Sequence, residues 1–200
     1  MNLPPHRTKT AVFPILLLVA LGASCGPGAR TSVEPGASGS RPYVDADVHF
    51  MRGMIHHHAQ ALVMTDLVAA RTENDDIRRL AHRIEISQRD EIARMRRWLE
   101  SRIETVEDHS HGDLMPGMLT DEELDQLADA TGAEFDRLFM EYMIRHHEGA
   151  LKMVEDLLST EGAGKEAELF QFVSHVDADQ RAEIARMRAM LNTSTQGGTE

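Results

Sequence analysis

The feature that most constrains this chain is that it repeats itself. Phe50-Met51-Arg52-Gly53-Met54-Ile55-His56-His57-His58-Ala59-Gln60-Ala61-Leu62-Val63-Met64 is matched by Phe139-Met140-Glu141-Tyr142-Met143-Ile144-Arg145-His146-His147-Glu148-Gly149-Ala150-Leu151-Lys152-Met153, an offset of 89 (139 minus 50). A second block, Gln88-Arg89-Asp90-Glu91-Ile92-Ala93-Arg94-Met95-Arg96, is matched by Gln180-Arg181-Ala182-Glu183-Ile184-Ala185-Arg186-Met187-Arg188, an offset of 92 (180 minus 88). The difference between the offsets falls between the two blocks, where a turn is expected. Such a pattern means one supersecondary unit used twice.

Each unit reads as two helices. Phe50, Met54, His57, Ala61, Met64 and Val68 recur at spacings of three and four, as do Phe139, Met143, His146, Ala150, Met153 and Leu157. That is one stripe of an α-helix. The partner helices carry Ile77, Ala81, Ile84, Gln88, Glu91, Met95 and Trp98, then Leu169, Val173, Val176, Gln180, Glu183, Met187 and Met190. Asn74, Asp75 and Asp76 are helix-start residues, and Glu161-Gly162-Ala163-Gly164 breaks the chain at the corresponding turn. Thr120-x-x-Glu123 and Thr131-x-x-Glu134 are capping-box patterns. The expected helices are Asp47–Arg71, Asp75–Glu104, Glu134–Ser159 and Gly164–Asn192, with a short one over Asp121–Ala130. Two hairpins bury their stripes best against each other, so the fold class is all-α, a four-helix bundle built from a duplicated hairpin. The bundle spans 45–193: repeat one 47–104, linker 105–133, repeat two 134–193, then a disordered tail over 194–200.

The N-terminal segment stands apart from the fold. Arg7 and Lys9 form a basic start, Ala11–Leu21 is a short apolar run, and Gly22, Ala23 and Ser24 precede Cys25. This order reads as a signal peptide over 1–24. Cys25 is the only cysteine, so an intramolecular disulfide is ruled out. Its position resembles the lipobox cysteine of bacterial lipoproteins, although Gly22 stands where Leu is usual. The expectation is a lipidated Cys25 on the extracytoplasmic side of a bacterial membrane. The tether over 25–44 holds Pro27, Pro35 and Pro42 and several glycines, with a reach of about 20–25 Å. Removing 1–24 takes away Arg7 and Lys9 and no acid, moving the formal charge from −12 to −14. That excess of acid argues against nucleic acid and against adhesion to anionic lipid, leaving the lipid anchor as the one membrane contact. The oligomeric state is left open.

Polar residues interrupt the core stripes at matched places. His57 and His146 lie on the most apolar line of their helices, His58 and His147 one step round, and Met54 and Met143 between the two directions. Gln88 with Glu91, and Gln180 with Glu183, replace consecutive apolar positions. Burying such groups unpaired costs about 1–3 kcal/mol for a neutral group and more for a charge. Incurring that cost twice, at equivalent positions, points to metal or ligand chemistry. A purely structural network, with Glu91 and Glu183 hydrogen-bonded to imidazoles, is the alternative. Methionine at helical spacing is often core filler; Met51, Met140, Met95 and Met187 gain interest as outer thioethers because they flank the histidines. His56 is expected to be solvated, since Arg145 replaces it in the second copy. His109, His111, Met115 and Met118 form a candidate loop site.

The His-His blocks, the Gln-x-x-Glu-Ile-x-x-Met blocks and Met115-Pro116-Gly117-Met118-Leu119-Thr120 resemble the bacterial family catalogued as domain of unknown function 305, over about Asp45–Leu191. The resemblance implies a ferritin-like fold, export and, for some members, copper binding and tolerance. Thioether and imidazole donors themselves favour soft ions such as Cu(I); iron and zinc are compatible with the imidazoles too. The expected ligands are His57, His58, His146, His147, Met54 and Met143. Glu91 and Glu183 would orient the imidazoles, as carboxylates commonly do, with Gln88 and Gln180 beside them. Adjacent histidines diverge by about 100° around a helix, so two related sites and one central site both satisfy the pattern. The enzymatic alternative is a ferritin-like di-iron oxidase, which normally uses Glu-x-x-His; no Glu stands three residues before any His here. A helical binding module without metal is the third reading.

Overall fold

The computed structural model describes residues 41–102, 104 and 114–196. The expected signal peptide, Cys25, most of the tether, His109 and His111 lie outside the described residues. Five helices follow in order: α1 Asp45–Arg71, α2 Asp75–Ser101, α3 Asp121–Asp129, α4 Gly132–Ser159 and α5 Ala167–Gln196. No strand occurs among the described residues. None of their helices is long and apolar enough to cross a membrane.

The architecture is a helical bundle. α1 packs against α2, α4 against α5, and α1 against α4, with short α3 touching α1 and α4. Two clusters fill the interior. One joins Ala61, Met64, Val68, Ile77, Leu80 and Ile84 to Phe135, Phe139, Met140, Met143, Ile184 and Met187. The other joins Phe50, Met51, Met54, Met95, Trp98 and Leu99 to Ala150, Val154, Leu157, Leu169, Phe172 and Val176. The C-terminal half of α1 thus shares a cluster with the N-terminal half of α4, so these helices run antiparallel. Burial of each such Leu, Ile, Phe or Met side chain contributes about 1.5–3 kcal/mol.

Helix ends deviate from expectation for identifiable reasons. Asn74 caps α2, its side chain accepting from the Asp76 amide at 3.0 Å, and Thr120 and Glu123 form the expected capping box of α3. Thr131 makes no side-chain cap bond, so the second box is absent. Gly132, at φ 59°, turns the chain instead, and α4 starts two residues early. α2 stops at Ser101 rather than Glu104 because the Arg102 and Glu104 amides both fold back onto the Leu99 carbonyl. Gly164 is an anchor rather than a helix start: at φ 66° it donates its amide to buried Asp47 at 2.7 Å. α5 begins at Ala167 and runs to Gln196, into the stretch read as a disordered tail.

Candidate metal centre

Between the two apolar clusters lies a layer of four buried imidazoles, none more than 1% exposed. His57 and His146 meet across the α1–α4 seam with ring centroids 3.9 Å apart and planes tilted by 37°. His58 points to α2, where Nε2 lies 2.6 Å from Glu91 Oε2. His147 points to α5, where Nε2 lies 2.6 Å from Glu183 Oε2. Within each helix the adjacent rings are 6.4 and 6.2 Å apart. Helical pitch explains the arrangement: a single step of about 100° sends one ring to the seam and the next to the partner helix.

The thioethers flank this layer. Met54 and Met143 are fully buried one turn before the histidines. Because α1 and α4 are antiparallel, they fall on opposite sides. Met54 shares its cluster with Met51, Met95 and Ala150; Met143 shares the other with Met140, Met187 and Ala61. A small residue of one helix therefore lies in the cluster that holds the methionine of the other.

Burial governs the ionisation. His57 is lowered to about 3 by desolvation first and then by His58, against the pull of its bond to the Pro116 carbonyl. His58 is lowered to about 3 by desolvation and His147, with Glu183 opposing. His146 is held well below the usual histidine range by burial and the other three imidazoles; the nearby His57 backbone opposes without reaching hydrogen-bond geometry. Glu91 is raised to about 8 by burial and by the Asp179 and Glu183 carboxylates. At neutral pH His57, His58 and His146 are uncharged, and a neutral imidazole keeps one lone-pair nitrogen able to bind metal.

Among the described residues, some ring nitrogens of this layer have no hydrogen-bond partner. His57 donates from Nε2 to the Pro116 carbonyl at 3.0 Å, so Nδ1 carries the lone pair, and it is buried without a hydrogen bond. Nδ1 of His58 and of His147, and both ring nitrogens of His146, are likewise buried without a hydrogen bond. Both amide atoms of Gln88 and the Gln180 carbonyl oxygen also lack partners. Native interiors leave few such groups unsatisfied, each costing about 1–3 kcal/mol. Among the described residues, no three His, Cys, Asp or Glu side chains converge at metal-binding distance. At the seam the imidazoles of His57 and His146 meet, and Met54 and Met143 lie buried one turn before them.

Sequence reasoning missed the strap that covers this seam. Residues 114–120 cross both long helices. The Gln60 side chain clamps the Leu119 backbone twice, at 2.9 and 2.8 Å. Gly117 lies so close to α4 that a Cβ would sit 2.4 Å from the Arg145 carbonyl oxygen. A Cβ on Gly149 would be 1.8 Å from the Pro116 carbonyl oxygen. Arg145 grips Glu123 with two bonds of 2.7 and 2.6 Å, holding the α3 cap. Met115 and Met118 of the expected loop site are half-buried in this strap. His56, expected in solvent, is half-buried as well. The available signal was glycine at 149 where the first copy has Gln60.

Known structures share this architecture. A DUF305 fragment from Deinococcus radiodurans is 28% identical with a TM-score of 0.69, over 76% of this chain and 99% of that one. A putative secreted DUF305 protein from Streptomyces coelicolor is 27% identical with a TM-score of 0.68, over 74% and 93%. CopM in its Cu(II)-bound form is 29% identical with a TM-score of 0.61, over 74% and 96%; its Cu(I)-bound form gives 28% and 0.60. No curated protein matches the sequence. Residues 47–191 match the model of the family described as domain of unknown function 305, and the chain belongs to that family.

Proposed function

We propose that this protein is exported, held to the membrane through lipidated Cys25, and binds copper as Cu(I) for storage or tolerance. The observation that carries the reading is the His57–His146 pair at 3.9 Å, set in a buried layer whose lone-pair nitrogens have no partners. Similarity to CopM, solved with Cu(II) and with Cu(I), supports the choice of metal, and similarity to a putative secreted protein supports export. The ion is cargo here. His57, His58, His146 and His147 supply imidazole, and Met54 and Met143 supply thioether. Glu91 and Glu183 fix the outward rings of His58 and His147, leaving each Nδ1 facing the interior. Such a set retains a soft ion while the apolar clusters keep water out. A di-iron oxidase requires several hard oxygen donors; Glu91 and Glu183, the carboxylates bonded to this layer, are each engaged by an imidazole.

Cu(I) titration of the reduced protein tests the proposal. His57→Ala/His146→Ala and His58→Ala/His147→Ala should each lower stoichiometry or affinity. Unchanged binding in both would make the histidine layer purely structural. Cys25→Ser should release the protein from membranes; continued membrane retention would remove the anchor from the proposal.

A further inference from the structure

A cleft of about 750 Å³ opens beside the strap, away from the histidine layer, and is lined in part by His49, Gly53, Met115, Pro116 and Met153. Its floor is Gly53. Met115 Sδ and Met153 Cε each lie 3.4 Å from the point a Gly53 Cβ would occupy, so two methionine ends from different segments converge over one bare stretch of α1. Both methionines are half-buried, and His49, one turn earlier on the same face of α1, is exposed to the cleft. At the matched places of the second copy stand Leu138 and Tyr142. Leu138 is core, and Tyr142 fills its position with a ring that donates to Gln126 at 2.5 Å. The first stretch therefore has an imidazole and bare backbone under two methionine ends where the matched stretch has a leucine and a tyrosine ring.

We propose that this cleft is a second metal site, taking a soft monovalent ion, Cu(I) or Ag(I), between the thioethers of Met115 and Met153 with the His49 imidazole as third donor. Donor softness rather than charge selects the ion. The rim carboxylates Asp45, Glu104 and Asp156 are already paired, with Arg41, Arg52 and Lys152, and add little attraction for a hard cation. Uncharged thioethers discriminate strongly for soft ions, and methionine's rotatable chain lets both sulfurs close on an ion without backbone movement. Pro116 is the partition: it lines the cleft, and its carbonyl oxygen accepts from His57. The cleft thus meets the histidine layer at Pro116, which suits a site where ions are first taken up.

The site stands independently of the histidine layer, and its test separates the two. Ag(I), a redox-silent probe, is titrated into the full chain carrying ¹³C-labelled methionine methyl groups. The Met115 and Met153 methyl resonances are expected to shift together and to keep doing so in His57→Ala/His146→Ala. Met115→Leu/Met153→Leu should remove one bound ion, and His49→Ala should weaken that ion by about tenfold or more. The proposal is overturned if neither methyl resonance moves in the wild-type protein, or if both shifts vanish in the histidine variant. The wild-type shifts decide the matter even if the leucine variant folds poorly.

Discussion

The outward and seam-facing sides of the histidine layer obey different rules. On the outward side the two copies agree: His58 meets Glu91 and His147 meets Glu183, both at 2.6 Å. At the seam they part. His57 has a carbonyl partner from Pro116, whereas neither nitrogen of His146 has one. The strap contacts Gln60 in one copy and Gly149 at the matched position of the other, by hydrogen bonds in the first case and bare backbone contact in the second. The imidazole–carboxylate pairs come from side chains within each repeat, so the repeat carries them twice. The strap is a single segment, and the sequence-matched residues on its path, Gln60 and Gly149, differ.

The largest effect should come from acid, which acts on both copies. His57 and His58 remain neutral in the folded chain down to about pH 3, while the unfolded chain protonates them below about 6.5; His146, held well below its usual range by burial, acts with the same sign. The unfolded state then binds more protons, so stability falls as pH drops through that window, by about 1.4 kcal/mol for each group with every pH step of one. Glu91 has the opposite sign. Its folded carboxyl keeps its proton up to about pH 8, the unfolded one loses it above about 4.5, and its contribution fades as pH rises between them. Three groups oppose one below pH 6.5, so urea midpoints of the metal-free protein should drop steeply in acid and decline gently toward pH 8. Midpoints that stay level in acid would contradict the neutral layer.

Next in size is Gly149→Ala. Its Cβ would meet the Pro116 carbonyl oxygen at 1.8 Å, so the strap must lift, at roughly 3 kcal/mol of overpacking. Urea denaturation measures the loss, and imidazole ¹⁵N shifts should show His57 losing its Pro116 partner. A variant as stable as wild type, with His57 unchanged, would break the asymmetry described above.

Third, Glu91→Ala should cost more than Glu183→Ala, although the pairs have equal lengths. The Glu91 side chain is 6% exposed and that of Glu183 17%, so water more readily satisfies the stranded His147. The expected losses are about 2–3 kcal/mol for Glu91 and about 1 for Glu183. Equal losses would mean the two pairs are equivalent in energy as well as in length. Smallest is Gln60→Ala, which removes two bonds to Leu119 from a half-buried site, about 1–2 kcal/mol. Thermal unfolding measures it, and no change would show that backbone contact at Gly149 alone seats the strap.

How legible was this in the sequence? The long helices and the histidine layer were, because period-3.6 stripes report burial directly and His57, His58, His146 and His147 interrupt them in register. Direction round the helix separated the two histidines of each pair but left one central site and two related sites both open. The strap was not legible. Its key contacts are the Pro116 carbonyl and the Gly117 and Gly149 backbones, and main-chain atoms have no side-chain signature. Thr131-x-x-Glu134 misled for a related reason: capping patterns describe side chains, and the φ of Gly132 decided the geometry instead. Met115 was singled out with His109 and His111, but its observed neighbour is Met153, contributed by a distant helix.

The strap touches sequence-matched positions 60 and 149 as it crosses the seam. A polypeptide has a direction, N to C, and no directed path maps onto itself under a half-turn. A single segment laid across two like sites must therefore favour one of them. Joining two like hairpins in one chain thus gives the protein a handed choice unavailable to two identical, separate hairpins without such a strap. One central imidazole is spoken for and its twin is left available, and the joining segment decides which.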